Sequence, residues 1–264
     1  SFMAEVDTDT MYTIKDNSCI EHIIPITTDN DGGFDTEETL FFEACSPRKV
    51  GDTYYLIYSP KRGSRLAYAT SDKPTGPFKY RGYIVDNGVD YPGGNDHGSI
   101  AQINGQWYIF YHRMTNGTIM SRRACVEKIE ILPDGTIPPV EMTSLGFEDS
   151  LDPYRITEAE IACVLKGGAF VTEHNKFESR MYFNADITGL GADCNVHIRI
   201  DSEDGEEIGS FKVGHGSSTY TTEVKPVSGR HAVFLTVDTD YTGWTACYFK
   251  ERPLFELKRF VFTK

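Results

Sequence analysis

An internal repeat constrains this chain more than any other feature. VGDTYYLIYS at 50–59 and INGQWYIFYH at 103–112 share a turn, an aromatic pair, apolar residues and then a tyrosine, with Tyr54 matching Trp107 at a spacing of 53 residues. Short apolar segments flank both units: SRLAYAT and PFKYRGYIV follow the first, MSRRACV and IEILPDGTIPPV the second. Repeats of roughly 40 to 50 residues made of four short strands are propeller blades. About two of them are visible, and residues 4–38 are long enough to supply part of another. Propellers close with about four to eight blades, so a partial β-propeller is expected, with open strand edges on which the chain could self-associate or meet a partner. The competing reading is a small sandwich of two hairpin units.

Further β-rich segments recur past the repeat, among them VHIRID, HAVFLTV and FELKRFVF, with turn signals at Asn104-Gly105, Asp134-Gly135 and Asp204-Gly205. Helical periodicity is scarce, and the fold class is all-β. Beyond Asp149-Ser-Leu-Asp-Pro153 the strands keep regular spacing without the blade repeat. The domains expected are 4–151, an incomplete propeller, and 152–264, a β-sandwich.

Composition narrows the partners. A formal charge of −13 and a pI near 5.0 disfavour nucleic acid and anionic membranes, and a neutral partner such as a sugar fits better. No apolar run approaches the roughly 18 residues of a membrane span, and no charged-then-apolar leader opens the sequence. The six cysteines contain no C-x-x-C pair and read as mostly buried free thiols.

One acid stands out. Glu43 follows Phe41-Phe42 in an apolar segment, and a carboxylate in such a setting is either paired or protonated. It lies 11 residues before Tyr54, and His97 lies 10 before Trp107. With one residue of slippage the two hold equivalent places on neighbouring inner strands, both directed to the propeller axis. Spacing alone leaves open a structural or a catalytic role.

Taken together, FFEACSPRKVGDTYYLIYS, SRLAYATSDKPTGPFKYRGYI and YPGGNDHGSIAQINGQWYIFYHR resemble the later blades of glycoside hydrolase family 43, five-bladed propeller enzymes acting on arabinose- and xylose-containing polysaccharides. The resemblance covers about residues 4–146. It implies that Glu43 is the general acid, that His97 helps hold a metal ion, Ca2+, or a water at the axis, and that Arg122, or Arg123 by a one-residue shift, contacts substrate. It implies an inverting arabinofuranosidase or xylosidase, from a secreted or periplasmic parent, acting on plant cell-wall saccharide. Such an enzyme pairs an un-ionised acid with an ionised base about 6.5 to 9.5 Å away, and the two phenylalanines are expected to desolvate the acid. The family's base and a second, tuning aspartate come from earlier blades than the stretch where AEVDTDTMYTIK aligns, so an N-terminally truncated enzyme without its base is expected. Asp7 and Asp9, the early acids in reach, read as a solvated turn.

Residues 152–264, through YRITEAEIACV, VHIRIDSEDGEEIGSFKV and LFELKRFVFTK, resemble a family 6 carbohydrate-binding module, a jelly roll that stacks aromatic rings on sugars. The aromatics this implicates are Tyr182, Tyr220 and Trp244, each with a core role as its alternative. Glu158-Ala-Glu160 resembles that module's calcium-linked stretch, where Lys258 stands against a cation. A non-catalytic carbohydrate-binding protein with a scaffold half-propeller is the second reading of the whole.

Overall fold

The structure, a computed structural model, describes residues 1–87, 96–115, 118–162, 164–166, 169–175, 181–240 and 254–264. The chain divides into two compact units, Ser1–Met142 and Thr143–Lys264. The division falls ahead of the 151/152 boundary read from sequence. Segment 143–151 has no strand of its own, and Ser144 ties it to the second unit by donating its hydroxyl to the Ile161 carbonyl at 2.7 Å.

Within the first unit, β1 (Phe2–Met3) and β2 (Ile20–Glu21) form a minimal ladder, and two larger sheets follow. One is a meander of β3 (Phe41–Val50), β4 (Thr53–Pro60), β5 (Arg65–Ser71) and β6 (Lys79–Asp86); the other joins β7 (Gly98–Ile103), β8 (Gln106–Thr115) and β9 (Thr118–Ile129). These are the two blades of the repeat: the ladders close in the same way at Val50–Thr53 and Ile103–Gln106. Their facing sides bury Tyr55, Ile57, Leu66, Tyr68, Ile84, Ile100, Ile109 and Tyr111 in one core.

Two expectations about the blade margins need correction. Residues 4–38 add no blade: beyond the β1–β2 ladder and one Val6–Ile14 bridge they run as turns and coil, and Ile23, Ile24 and Phe34 cap the other face of the first blade with Leu56 and Tyr58. Nor does IEILPDGTIPPV close the second blade with a strand. Its three prolines each lack an N–H for a ladder. The segment instead packs on the first blade, where Tyr55 donates to Gly135 O at 2.8 Å, Ile137 N donates to the Tyr68 hydroxyl at 2.8 Å, and Val140 N to Ile84 O at 2.9 Å.

The second unit is a β-sandwich. It comprises β10 (Thr157–Glu158), a 3₁₀ turn (Ala159–Ile161), β11 (Val164–Lys166), β12 (Ala169–Asn175), β13 (Met181–Gly189), β14 (Cys194–Ile200), β15 (Glu207–Val213), β16 (Gly216–Val224), β17 (Arg230–Asp238) and β18 (Phe255–Thr263). The sheets run β10-β18-β13-β16 and β11-β12-β17-β14-β15, so sequence neighbours repeatedly land in opposite layers, as in a jelly roll. The burial of β13 and β14 alternates residue by residue, the signature of strands with one face in the core. Phe183 anchors that core, its ring 5.2 Å from both Phe260 and Phe262.

Of the described cysteines, Cys194 is buried and Cys125 half-buried, but Cys19 and Cys45 are exposed, against the expectation of mostly buried thiols. Cys163 and Cys247 lie outside the described residues.

His231, at the start of β17, ties two turns of the sandwich together. Its Nδ1 is 2.9 Å from Asp201 Oδ2 and its Nε2 is 3.0 Å from Ser228 O, both acceptors, which only an imidazolium satisfies at once. Burial lowers its pKa, but the Asp201 carboxylate and the Ser228 carbonyl outweigh burial and raise it above 6.5. The native state therefore holds this proton more tightly than the unfolded chain. Its stabilisation is complete below pH 6.5 and lost as pH rises through the raised native value. Replacing His231 by Gln should cost about 1 kcal/mol or less near pH 6 and progressively less at alkaline pH, a trend that urea melts across that range would register.

Candidate active site

The two blades bring the ends of their inner strands together. Glu43 on β3 stands opposite Ser59 on β4, and His97, just before β7, lies beside His112 at the end of β8, into whose Nδ1 its backbone N–H donates at 3.3 Å. Ser59 and His112 are 53 residues apart, the period of the repeat, so Glu43 and His97 are true equivalents. The one-residue difference in their spacing is taken up by a bulge: Glu43 and Ser46 oppose Ser59 and Ile57, one more residue on β3 than on β4. Ala44 within it has φ of 64°, a left-handed conformation uncommon for a residue with a Cβ.

Glu43 and His97 meet, with Oε1 3.5 Å from Nε2. Gly98 makes this closeness tolerable. A Cβ there would lie 2.4 Å from Leu66 Cδ1 of the first blade and 2.6 Å from Phe110 O of the neighbouring strand, so glycine lets the start of β7 lie close against both. The expected desolvation by the phenylalanines is not observed: Phe42 is 56 % exposed and the Glu43 side chain 39 %. Neighbouring residues of a strand project to opposite faces, so Phe42 points away from the acid and does not cover it.

The buried acid of the site is one that sequence reading passed over. Asp96 is wholly inaccessible to solvent; Asn87 Nδ2 donates to its Oδ2 at 2.6 Å and to His112 O at 2.9 Å, and its own backbone N–H donates to Ser59 Oγ at 3.3 Å. Its Oδ1 lies 3.8 Å from His112 Nδ1. Burial pushes its pKa up to about 8, although the backbone N–H groups of His112 and His97, the Arg122 charge and the Asn87 amide pull it down. Flanked by YPGGN, Asp96 looks like one more turn residue; the signal that could have exposed it is its place beside His97 in the repeat.

Other sequence candidates are placed as follows. Arg122 is exposed on β9 opposite Met114, and its charge acts on Asp96; Arg123 is half-buried opposite Arg113. Asp7 accepts from the N–H groups of Asp9 and Thr10, both at 2.9 Å, and so serves an exposed turn. Around His97, among the described residues, no group of three or more His, Cys, Asp or Glu assembles that could hold a metal ion. Calcium takes six to eight oxygen ligands, so at the axis it would draw mainly on groups other than these.

In the sandwich, Tyr220 is half-buried: its ring stacks on Phe211 at 5.6 Å and its hydroxyl accepts from Gly214 N at 3.1 Å. Tyr182 is half-buried on β13, and Trp244 lies outside the described residues.

Asp96 makes stability depend on pH in the direction opposite to an ordinary surface acid. With a native pKa raised to about 8 from 3.8, the folded state keeps a proton the unfolded chain has released. Stability should fall as pH rises between these values, by at most about 1.4 kcal/mol per pH unit. Asp96→Asn should flatten that fall, and an unchanged slope in chemical melts from pH 4 to 8 would contradict the assignment.

No family model matches the chain. It is 46 % identical over 220 residues to a "Xylosidase/arabinosidase" of Thermoclostridium stercorarium, covering 78 % of this chain and 43 % of that protein. An "Arabinoxylan arabinofuranohydrolase" of Paenibacillus polymyxa is 25 % identical, over 74 % of this chain and 38 % of its own length. A solved glycoside hydrolase family 43 arabinoxylan arabinofuranohydrolase from Bacillus subtilis, in complex with cellotetraose, aligns with 85 % of this chain and 54 % of its own at 24 % identity and a TM-score of 0.46. The chain thus spans less than half the length of the curated relatives named here, and the first match is too long to fit within the propeller unit alone. Two propeller blades followed by a β-sandwich, in a sequence this close to a xylosidase/arabinosidase, make the chain a relative of the glycoside hydrolase family 43 enzymes.

Proposed function

We propose that this chain is the acid-bearing part of an inverting glycoside hydrolase acting on arabinose- or xylose-containing plant polysaccharide, of arabinofuranosidase or xylosidase type. The observation that carries the reading is the meeting of Glu43 and His97 at 3.5 Å where the two inner strands begin. A carboxyl group at that place, half open to solvent, can reach a glycosidic oxygen and deliver a proton to the leaving group. His97 is its neighbour and a hydrogen-bonding partner for it or for the sugar. Arg122, exposed and near the same end, is the proposed cationic contact to substrate hydroxyls.

No carboxylate of this chain is assigned the place of the base. Asp7 is occupied by its turn, and Asp96 is sealed from solvent, so neither can activate a water beside a bound sugar. A general acid or base is typically worth about 10² to 10⁴ in rate, and the acid alone should support little turnover. Sugar binding by the sandwich, with Tyr220 and Trp244 as the proposed contacts, Ca2+ with His97 at the axis, self-association through the open blade edges, and a secreted or periplasmic setting complete the proposal. Tyr220 supports its part least, since one ring face is already committed to Phe211.

Hydrolysis of nitrophenyl arabinofuranoside and xyloside tests the reading. The chain should show at most a weak rate, reduced further by Glu43→Gln. A robust rate that Glu43→Gln leaves intact would remove Glu43 from the chemistry. A robust rate that the substitution abolishes would keep the acid and show that a base is present.

A further inference from the structure

We propose that His112 is the positioning residue of His97, assisted by its repeat-equivalent Ser59: the two side chains hold the short segment that brings His97 to Glu43. The β7–β8 ladder ends at Gly98–Tyr111, so the next opposed pair is His97 and His112. There a side chain takes the main-chain donor, the His97 N–H donating to His112 Nδ1 at 3.3 Å. The same ring lies 5.6 Å from the His97 ring, the two planes inclined by 53°. His112 thus meets His97 both at its main chain and at its ring. The preceding N–H, that of Asp96, donates to Ser59 Oγ at 3.3 Å. Ser59 and His112 stand 53 residues apart, one on each blade, so equivalent positions of the repeat accept two consecutive main-chain N–H groups.

The two acceptors differ in what their loss would do. Asp96 and Ser59 are wholly inaccessible to solvent, and a buried N–H left without an acceptor is costly, so deleting the hydroxyl must shift the Asp96 peptide or cost stability. His97 is exposed, and water could take over its N–H, but water would not fix where that N–H points. The His112 side chain can, because it is only 13 % exposed and its main chain is pinned by Asn87 Nδ2, which donates to His112 O at 2.9 Å. The contact also selects the form of the ring. A nitrogen that accepts from an N–H presents its lone pair, so the His112 ring carries its proton on Nε2. His97 Nε2 in turn stands 3.5 Å from Glu43 Oε1. A side chain that sets the peptide and the ring of His97 is therefore one of the contacts that shape this pair, and it acts from the second blade.

The inference rests on the reading of Glu43 as the acid and His97 as its neighbour, but its test reads position and not turnover. In the full chain labelled with ¹⁵N-histidine, the amide and ring signals of His97 and His112 are assigned by their loss in His97→Asn and His112→Asn. At neutral pH the parent chain should show His112 Nδ1 as the unprotonated ring nitrogen and Nε2 as the protonated one. The opposite tautomer, or a proton on both nitrogens, would overturn the proposal without any variant having to fold. His112→Gln, whose amide reaches past the Nδ1 position, should displace the His97 amide signal and speed its exchange with solvent roughly two- to tenfold, the net worth of one hydrogen bond. His112→Asn, whose Oδ1 lies close to where Nδ1 lies, should return both toward the parent values. Ser59→Ala, which removes the other acceptor, should displace the His97 amide as well. Unmoved His97 signals in His112→Gln or in Ser59→Ala would overturn the proposal. So would equal effects of the Gln and Asn replacements, or an equal displacement in Ile109→Val, a loss of packing in the inter-blade core. The nitrophenyl glycoside assay can fail the glycosidase reading without altering any of these signals.

Discussion

Everything in the first unit depends on the apolar seam between the two blades. Tyr55, Ile57, Leu66, Tyr68 and Ile84 from one sheet meet Ile100, Ile109 and Tyr111 from the other, and all are buried. Successive side chains of a strand point to opposite faces, so the register of the first blade decides which residues enter this seam and which pack under Ile23, Ile24 and Phe34 on its other face; a slip by one residue would exchange the two sets. The same seam aligns the starts of β3 and β7. Glu43 and His97 meet because two repeats of one pattern are stacked in one orientation, not because any local sequence signal draws an acid to a histidine.

The seam also explains what was legible in the sequence. Period and strand content were readable because the aromatic pair and turn recur at 53 residues and each copy forms the same hairpin. The mismatch in spacing before Tyr54 and Trp107 was readable as slippage but not as its cause, a bulge at Glu43–Ser46 with Ala44 in a left-handed conformation. Pattern reading failed where the chain leaves the repeat. The Pro-rich stretch after β9 has enough isoleucine and valine to resemble a strand, yet it supplies Ile137 and Val140 to the first blade and none of its own ladder. Residues 4–38 are likewise a cover for an existing face.

Asp96 was illegible for a different reason. Sequence patterns report on faces, and a polar residue between glycines and a histidine is read as a turn. Whether such a residue is exposed depends on what distant segments bring against it, here Ser59 and Asn87, 37 and 9 residues away. Tyr220 shows the converse. Its loop-like flanks suggest an open ring, but the pairing of Ala185 with Tyr220 puts the residue on the inward rhythm of β16, against Phe211 and the sandwich core.

These two placements bear on how a half-exposed acid can be useful. Glu43 gains little rigidity from His97 while both are open to solvent, since an exposed pair is worth at most about 1 kcal/mol. The groups around them are different: Ser59 and Asp96 are fully buried, and the Asp96 main-chain N–H donates to Ser59 Oγ at 3.3 Å where water cannot reach and where a hydrogen bond is electrostatically stronger. The strand end beneath Glu43 is thus tied on its sealed side, while the carboxyl group itself is half open to solvent. Under the proposed glycosidase reading, deeper burial of Glu43 would shut out the sugar that a half-open carboxyl group can reach. The division of labour between an open acid and a sealed one follows from placing both where the two strand ends converge.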